Sequence, residues 1–303
     1  MTIENKIAQF EQLQNSPRQA EQAKECFGIV VIIDALGAKS LTIEGAREFL
    51  KLRDEVVIDL PFINDTINWA MAEMIASPAE TPIDSRQRNI LDQLRETKHE
   101  VVTFGDSFIL LYECKPEVIN LALARVAQWC ELTVSAAMDR KVFLRGALSI
   151  GNYLYGGSQS NTVLGPAVAD AASWCEVADW IGVAVTPSAG YYLNQSSINP
   201  NELRHHTQFH FFHQQSYIKY SVPLKGGHRE ELWTLMWPRH FFDHEKPDSI
   251  RQRLATIFAG TSMPKGSESK YSNTWDYAEW MWAKSLEWEQ QGRSLENSGS
   301  TAR

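Results

Sequence analysis

The chain lacks paired cysteines, an excess of positive charge and any long apolar run. Its four cysteines, Cys26, Cys114, Cys130 and Cys175, lie far apart with no CxxC pair. That spacing argues against a zinc knuckle and against a secreted disulfide scaffold, and reads as reduced thiols of a cytoplasmic protein. Net charge is -8, from 29 basic and 37 acidic residues. No global positive field exists to draw in nucleic acid or an anionic membrane, so a phosphate ligand needs metals or a few placed Arg and Lys. The opening MTIENKIAQFEQLQNSPRQ has no apolar stretch of the kind a signal peptide needs. The most hydrophobic helix candidate, 117–138, still carries Arg125, Gln128 and Glu131, which predicts an amphipathic helix and no membrane span.

What is present is an ordinary soluble globular composition. A chain of 303 residues, 44% hydrophobic, holds one sizeable α/β core with an appendage, or two small domains. Residues 4–25 read as a polar helix, and FGIVVIID at 27–34 as a central strand covered on both faces. Helical spacing follows over 41–75, broken by Pro61, and a short helix near 86–96. HEVVTFGDSFILLYE at 99–113 predicts a hairpin with Gly105-Asp106 at its tip. After the 117–138 helix come a strand at 142–157, a helix at 166–180, a short strand and turn in IGVAVTPSA, and a hairpin at 216–238 around Gly226-Gly227. Residues 247–291 read as a charged, Trp-rich helical tail with a frayed SGSTAR end. Hairpins mixed with crossovers predict one mixed sheet flanked by helices, an α+β class.

Two acids stand out. Asp34 follows the apolar run IVVII and precedes the small-residue turn Ala35-Leu36-Gly37-Ala38, whose amides could face a polyphosphate. Taken alone it is equally a helix cap or a turn aspartate. Asp106, at the tip of a hairpin beside the same strand, brings a second carboxylate toward it, and two such acids repel unless a cation lies between them. Good turn chemistry explains Gly105-Asp106 equally well taken alone.

FGIVVIIDALGA, VVTFGDSFILLY, FLRGALSIGNYLYGG, VLGPAVADAASWCEVADWIGV and VPLKGG occur in the order and spacing of class III nucleotidyl cyclase domains. The resemblance spans 26–238 and is strongest to bacterial pyrimidine cyclases of the Pycsar anti-phage system, in the ASWCEVADWIGV segment and the VPLKGG…LW ending. It implies a ferredoxin-like βααβααβ catalytic domain at 26–238, between an N-terminal helix at 1–25 and a C-terminal helical extension at 239–303. It also implies a head-to-tail homodimer with two Mn²⁺ or Mg²⁺ ions per active site. Asp34 and Asp106 fall on the family's metal aspartates, and Ala35 on the position whose carbonyl also reaches a metal. Arg145 and Lys225 match its triphosphate-binding arginine and lysine, beside the plain alternatives of a partly buried arginine paired with an acid and an exposed hairpin lysine. The activity implied is a phosphorus–oxygen lyase making cyclic UMP from UTP, with CTP as the alternative substrate. The product would be a second messenger that activates a separate effector in abortive infection.

Departures from the family pattern bear on the base. Adenylyl cyclases place a purine-reading lysine where Val102 stands, and the second base-reading position falls near Thr162. Small hydroxyls at Thr103 and Thr162 suit a smaller pyrimidine ring. The transition-state Asn and Arg positions fall on Ala169 and Ser173, with Asn161, Asp170 and Glu176 nearby, which keeps a catalytically dead nucleotide-sensing or dimerisation module open as a rival, beside a purine cyclase with unusual base contacts. Six of the ten tryptophans, Trp233, Trp237, Trp275, Trp280, Trp282 and Trp288, cluster late in the chain and read as packing for the C-terminal helices, since base stacking would want interleaved basic residues. His205, His206, His210 and His213 alternate as in an exposed strand more than as a zinc site.

Overall fold

The computed structural model describes residues 23–37, 43–55, 97–156, 162–198, 216–243, 246, 248–261 and 265–300. The expected helices over 56–75 and 86–96, the histidine segment at 205–213 and Asn161 lie outside them. So does the N-terminal helix as far as Gln22. Its last two residues, Lys24 and Glu25, are strand instead, because β1 (Lys24–Ala35) starts early to pair them with Tyr155 and Leu154.

Helix α1 covers 43–55. The hairpin follows as β2 (Lys98–Phe104) and β3 (Ser107–Glu113). Gly105 has φ +58° and Asp106 a negative φ, the pattern of a two-residue hairpin turn whose first central residue must be glycine. Helix α2 (Ile119–Asp139), β4 (Leu144–Tyr155), β5 (Val163–Leu164), α3 (Pro166–Val177) and β6 (Gly182–Val185) come next. Helix α4 (Pro187–Ile198) stands where the sequence suggested only a turn. Its start is legible in hindsight, since Pro187 occupies the first turn and the Thr186 hydroxyl lies 3.5 Å from the Ala189 amide. The second hairpin is β7 (Tyr217–Pro223) and β8 (Arg229–Leu235), and α5 (Ser249–Ala259) and α6 (Glu268–Ser300) end the described chain. Helix α6 thus runs into the SGSTAR end that reads as frayed.

The sheet order is β2-β3-β1-β4-β6-β8-β7, with β5 beside β4. Strand β1 is antiparallel to both β3 and β4, and β4 is parallel to β6. The β2-β3-β1-β4 part is the split-βαβ, ferredoxin-like arrangement, and the whole is an α+β fold with a mixed open sheet flanked by helices. Flanked on both sides, β1 pairs its backbone fully, and burying Ile29, Val30, Val31 and Ile33 contributes about 1.5–3 kcal/mol each.

The sheet's two faces differ. On one, α1, α2 and α4 pack against Ile29, Val31, Ile33, Phe108, Leu148 and their neighbours in the main core. On the other, α3 covers a smaller cluster of Cys26, Val30, Val102, Ile109, Tyr153 and Val163. Farther along that second face α6 takes over, its Tyr277 hydroxyl 3.1 Å from Thr234 Oγ1. Helix α2 departs from the expected amphipathic pattern, because neighbours bury it on nearly every side. Its two buried charges are spent internally: Arg125 donates to the Tyr112 hydroxyl (3.0 Å), and Glu131 accepts from the Met236 amide (3.0 Å). Of the late tryptophans, Trp237 is buried and Trp280 lies 5.0 Å from the Tyr220 ring, but Trp233 donates to Asn194 Oδ1 of α4 (3.0 Å) and not to the C-terminal helices, and Trp288 is 39% exposed. Among the described residues no helix is long and apolar enough to cross a membrane.

Candidate active site

Asp34 is the penultimate residue of β1, and period-2 alternation puts it on the α3 face with Ile32 and Val30. Its cross-strand partners are Ser107 on β3 and Arg145 on β4, which therefore point to the same side. Both bond its carboxylate. Ser107 Oγ donates to Oδ1 (2.9 Å), while Arg145 donates to Oδ2 from Nη2 (3.0 Å) and Nε (3.3 Å). The two side chains are 24% and 14% exposed, so the pair is shielded from bulk water yet still reachable.

Asp106 comes within one residue of that cluster through the hairpin turn, and its main-chain carbonyl accepts the Ala35 amide (3.1 Å). The Leu36 amide donates to Phe143 O (2.7 Å), so the turn after β1 is tied to both neighbouring strands. The Phe143 ring meets Phe258 and Tyr271 edge-on at 6.0 and 5.2 Å, which seats the C-terminal helices beneath this end of the sheet.

Arg145 and Lys225 approach by way of the C-terminal end of α3. Arg145 Nη1 donates to Glu176 O (3.1 Å), and the Lys225 amide donates to Val177 O (2.8 Å). The buried Cys175 thiol lies at their centre and feels the charges of Arg145, Asp34, Lys225 and Glu176. Burial pushes its pKa up to about 12, which favours the neutral thiol, and the thiol donates to Arg145 O (3.9 Å). Thus Asp34, Ala35, Asp106, Arg145 and the Lys225 turn gather at one end of the sheet. Sequence reasoning missed Ser107 and the carbonyls of Glu176 and Val177. Ser107 is legible once the hairpin register is known, whereas a carbonyl leaves no residue-type signal.

The base-pocket residues are split between the two faces of the sheet. Val102 faces Ile109 in the smaller cluster and is only 5% exposed, whereas Thr103 pairs with Phe108 on the opposite face. Adjacent strand residues cannot line the same pocket. Thr162 accepts the Gly156 amide through its carbonyl (3.0 Å), next to Val163 in the Val102 cluster. Ala169 and Ser173 lie on the exposed side of α3. Asp170 is occupied elsewhere, accepting from Ser149 Oγ (2.7 Å) and Ser188 Oγ (2.6 Å), which fastens α3 to β4 and α4.

The donors available for a metal are the carboxylates of Asp34 and Asp106 with main-chain oxygens. All are hard ligands, and among the described residues no group of three or more His, Cys, Asp or Glu adds to them. Two carboxylates completed by phosphate oxygens and water suit Mg²⁺ or Mn²⁺ better than a metal wanting an all-protein cage.

No protein-family model matches the chain, and no curated protein does. Among solved structures it is similar to the catalytic core of a rhodopsin-guanylyl cyclase with converted specificity in complex with ATPαS. That match has 12% identity and a TM-score of 0.39, over 71% of this chain and 98% of the other. It is also similar to the monomeric guanylyl cyclase domain of the RhoGC fusion protein from the aquatic fungus Blastocladiella emersonii, with 12% identity, a TM-score of 0.37, and 71% and 97% coverage. At those scores neither match decides what this chain does.

Proposed function

We propose that this chain is a metal-dependent nucleotidyl cyclase, acting on UTP to give 3′,5′-cyclic UMP and pyrophosphate. The observation that carries it is the convergence of Asp34, the Asp106 turn, Arg145 and the Lys225 hairpin at one end of the β3-β1-β4 sheet. Two acids and two bases so placed fit a metal–triphosphate, which needs hard ligands on one side and phosphate partners on the other.

Asp34, Asp106 and the Ala35 carbonyl would hold the ions, which when bound supply charge neutralisation at the ribose 3′-oxygen and along the phosphates. The chain's own groups do the rest. Arg145 offers a planar fork to phosphate oxygens, held in place by Glu176 O, and Lys225 offers a mobile ammonium. Ser107 keeps the Asp34 carboxylate oriented. In the reaction O3′ loses its proton and attacks the α-phosphorus in line, forming the O3′–P bond as the bond to pyrophosphate breaks. The pyrimidine assignment, with CTP as the alternative, and the role in anti-phage defence through a cyclic-nucleotide-activated effector rest on the sequence resemblance. So does the homodimer.

Incubating the purified chain with each of the four ribonucleoside triphosphates and Mn²⁺, then resolving products by mass, tests this. A cyclic pyrimidine product is expected. A cyclic purine overturns the base assignment alone, and no cyclic product overturns the enzyme. A nucleotide-binding module without turnover is the second reading. It is favoured by Ala169 and Ser173, neither of which supplies a cation or an amide toward a phosphate.

A further inference from the structure

The loop Ala178–Ile181 joins α3 to β6 and is held from two sides. Toward the second hairpin, Ala178 bridges Leu224, the Asp179 amide donates to Pro223 O (3.0 Å), and the Lys225 amide returns to Val177 O (2.8 Å). Toward the C-terminal helix, Asn273 Nδ2 donates to Asp179 O (2.7 Å), Lys270 Nζ lies 3.5 Å from Asp179 Oδ1, and the Ile181 amide donates to Thr274 Oγ1 (2.8 Å). Asp179 thus spends its amide on the hairpin, and its carbonyl and carboxylate on α6. The side chains of Lys270 and Asp179 are 15% and 14% exposed, so solvent screens the pair weakly. Between them Trp180 is fully buried, stacked on Tyr220 at 5.9 Å and edge-on to Tyr277 at 4.7 Å.

The hairpin so held needs holding. Lys225 precedes Gly226 and Gly227, at φ +85° and +80°, a turn whose two glycines leave the backbone freest just where the lysine is mounted. A lysine on an unrestrained turn loses both backbone and side-chain entropy on meeting a ligand, and anchoring the turn removes part of that cost in advance. Docking of the tail alone would be served by the apolar contacts of Tyr271, Tyr277 and Met281. Beside the polar contacts that Tyr277 makes with β8 and Glu279 with Arg251 of α5, α6 places Lys270, Asn273 and Thr274 on the segment whose neighbours hold Lys225 and Arg145.

We propose that Asp179 is a positioning residue through which α6 fixes the Lys225 turn, so that affinity for a nucleoside triphosphate depends on Lys270 and Asn273, far from any ligand. This rests on reading Asp34, Arg145 and Lys225 as the triphosphate site.

The test uses the full chain, with Asp179→Asn and Asn273→Ala each made alone and in a Lys225→Ala background. Amide hydrogen exchange is compared at Leu224–Lys225 and in β1 and β3. Faster exchange confined to the hairpin is expected, and unchanged exchange in both variants overturns the clamp whatever the ligand. Binding of non-cyclisable α,β-methylene UTP with Mn²⁺ is then measured by calorimetry. Either variant should weaken it about tenfold with Lys225 present and less than about twofold without it. Equal losses in both backgrounds, or no loss in either, overturn the positioning role while leaving the site intact. A wild-type chain that binds no triphosphate overturns the reading of the site, and this role with it, even where the exchange result stands.

Discussion

Arg145 sits directly across the β1–β4 pair from Asp34 and grips a single carboxylate oxygen, Oδ2, with Nη2 at 3.0 Å and Nε at 3.3 Å. The other oxygen, Oδ1, accepts the Ser107 hydroxyl. One acid therefore joins three strands at the end of the sheet where the two hairpins and the turn after β1 meet. On the proposed reading, Asp34 would serve the fold as well as the chemistry, and Asp106, on its turn, mainly the chemistry.

The two acids should accordingly separate on mutation. Asp106→Ala is expected to abolish cyclic-nucleotide formation while shifting unfolding free energy by no more than about 0.5 kcal/mol. Asp34→Asn should abolish it too, and in addition cost about 1–3 kcal/mol, because Arg145 loses its charged acceptor in a mostly shielded place. Product mass spectrometry beside urea melts reads both. Full activity in Asp106→Ala would mean that the metal assignment is wrong.

Arg145→Lys tests the fork. Lysine keeps the charge but cannot reach Asp34 Oδ2 and Glu176 O at once, so KM for triphosphate should rise at least about tenfold and the melting temperature should fall. An unchanged KM would place Arg145 in the structural scaffold alone.

Gly28 pairs with Glu113 where β1 lies beside β3, and a Cβ there would stand 2.0 Å from the Tyr112 carbonyl oxygen. Backbone cannot yield as a side-chain tip does, so Gly28→Ala should cost about 3 kcal/mol. Gly105→Ala, with nothing within 4 Å but a φ of +58°, should cost only about 1 kcal/mol. Parallel denaturant titrations compare them, and similar losses would show that space at Gly28 is not the constraint.

Glu131 gives a pH signature. Burial raises its carboxyl pKa above the ordinary 4.5, against the lowering pull of His240. The native state then takes up a proton at a pH where the unfolded chain is still ionised. Its contribution is therefore fully present below 4.5 and is lost as pH rises through the raised value. Relative to Glu131→Gln, the wild type should gain stability on acidification within that window and show no pH-dependent difference above it. A difference that does not vary with pH would mean that the fold leaves the Glu131 pKa unshifted, and a loss of stability on acidification would mean that the fold lowers it.

Period and composition were enough for β1, the two hairpins with their glycine tips, α2, α3 and the helical C-terminus, because alternating or helical spacing and turn glycines act locally. The same local signals singled out Asp34 and Asp106, while Arg145 and Lys225 came from the family resemblance. Local signals could not say that Val102 and Thr103 face opposite sides of the sheet, since that depends on which face β3 offers to which helices. Nor could they see that α2 is buried nearly all round, or that a helix follows Thr186-Pro187. What the sequence determined by itself is the set of chemically capable residues and the strands that carry them. Only the tertiary structure decided which of these meet, because strand register, the end of α3 and the grip of α6 on Asp179 join residues far apart in the chain, and long-range pairing leaves no mark on local spacing.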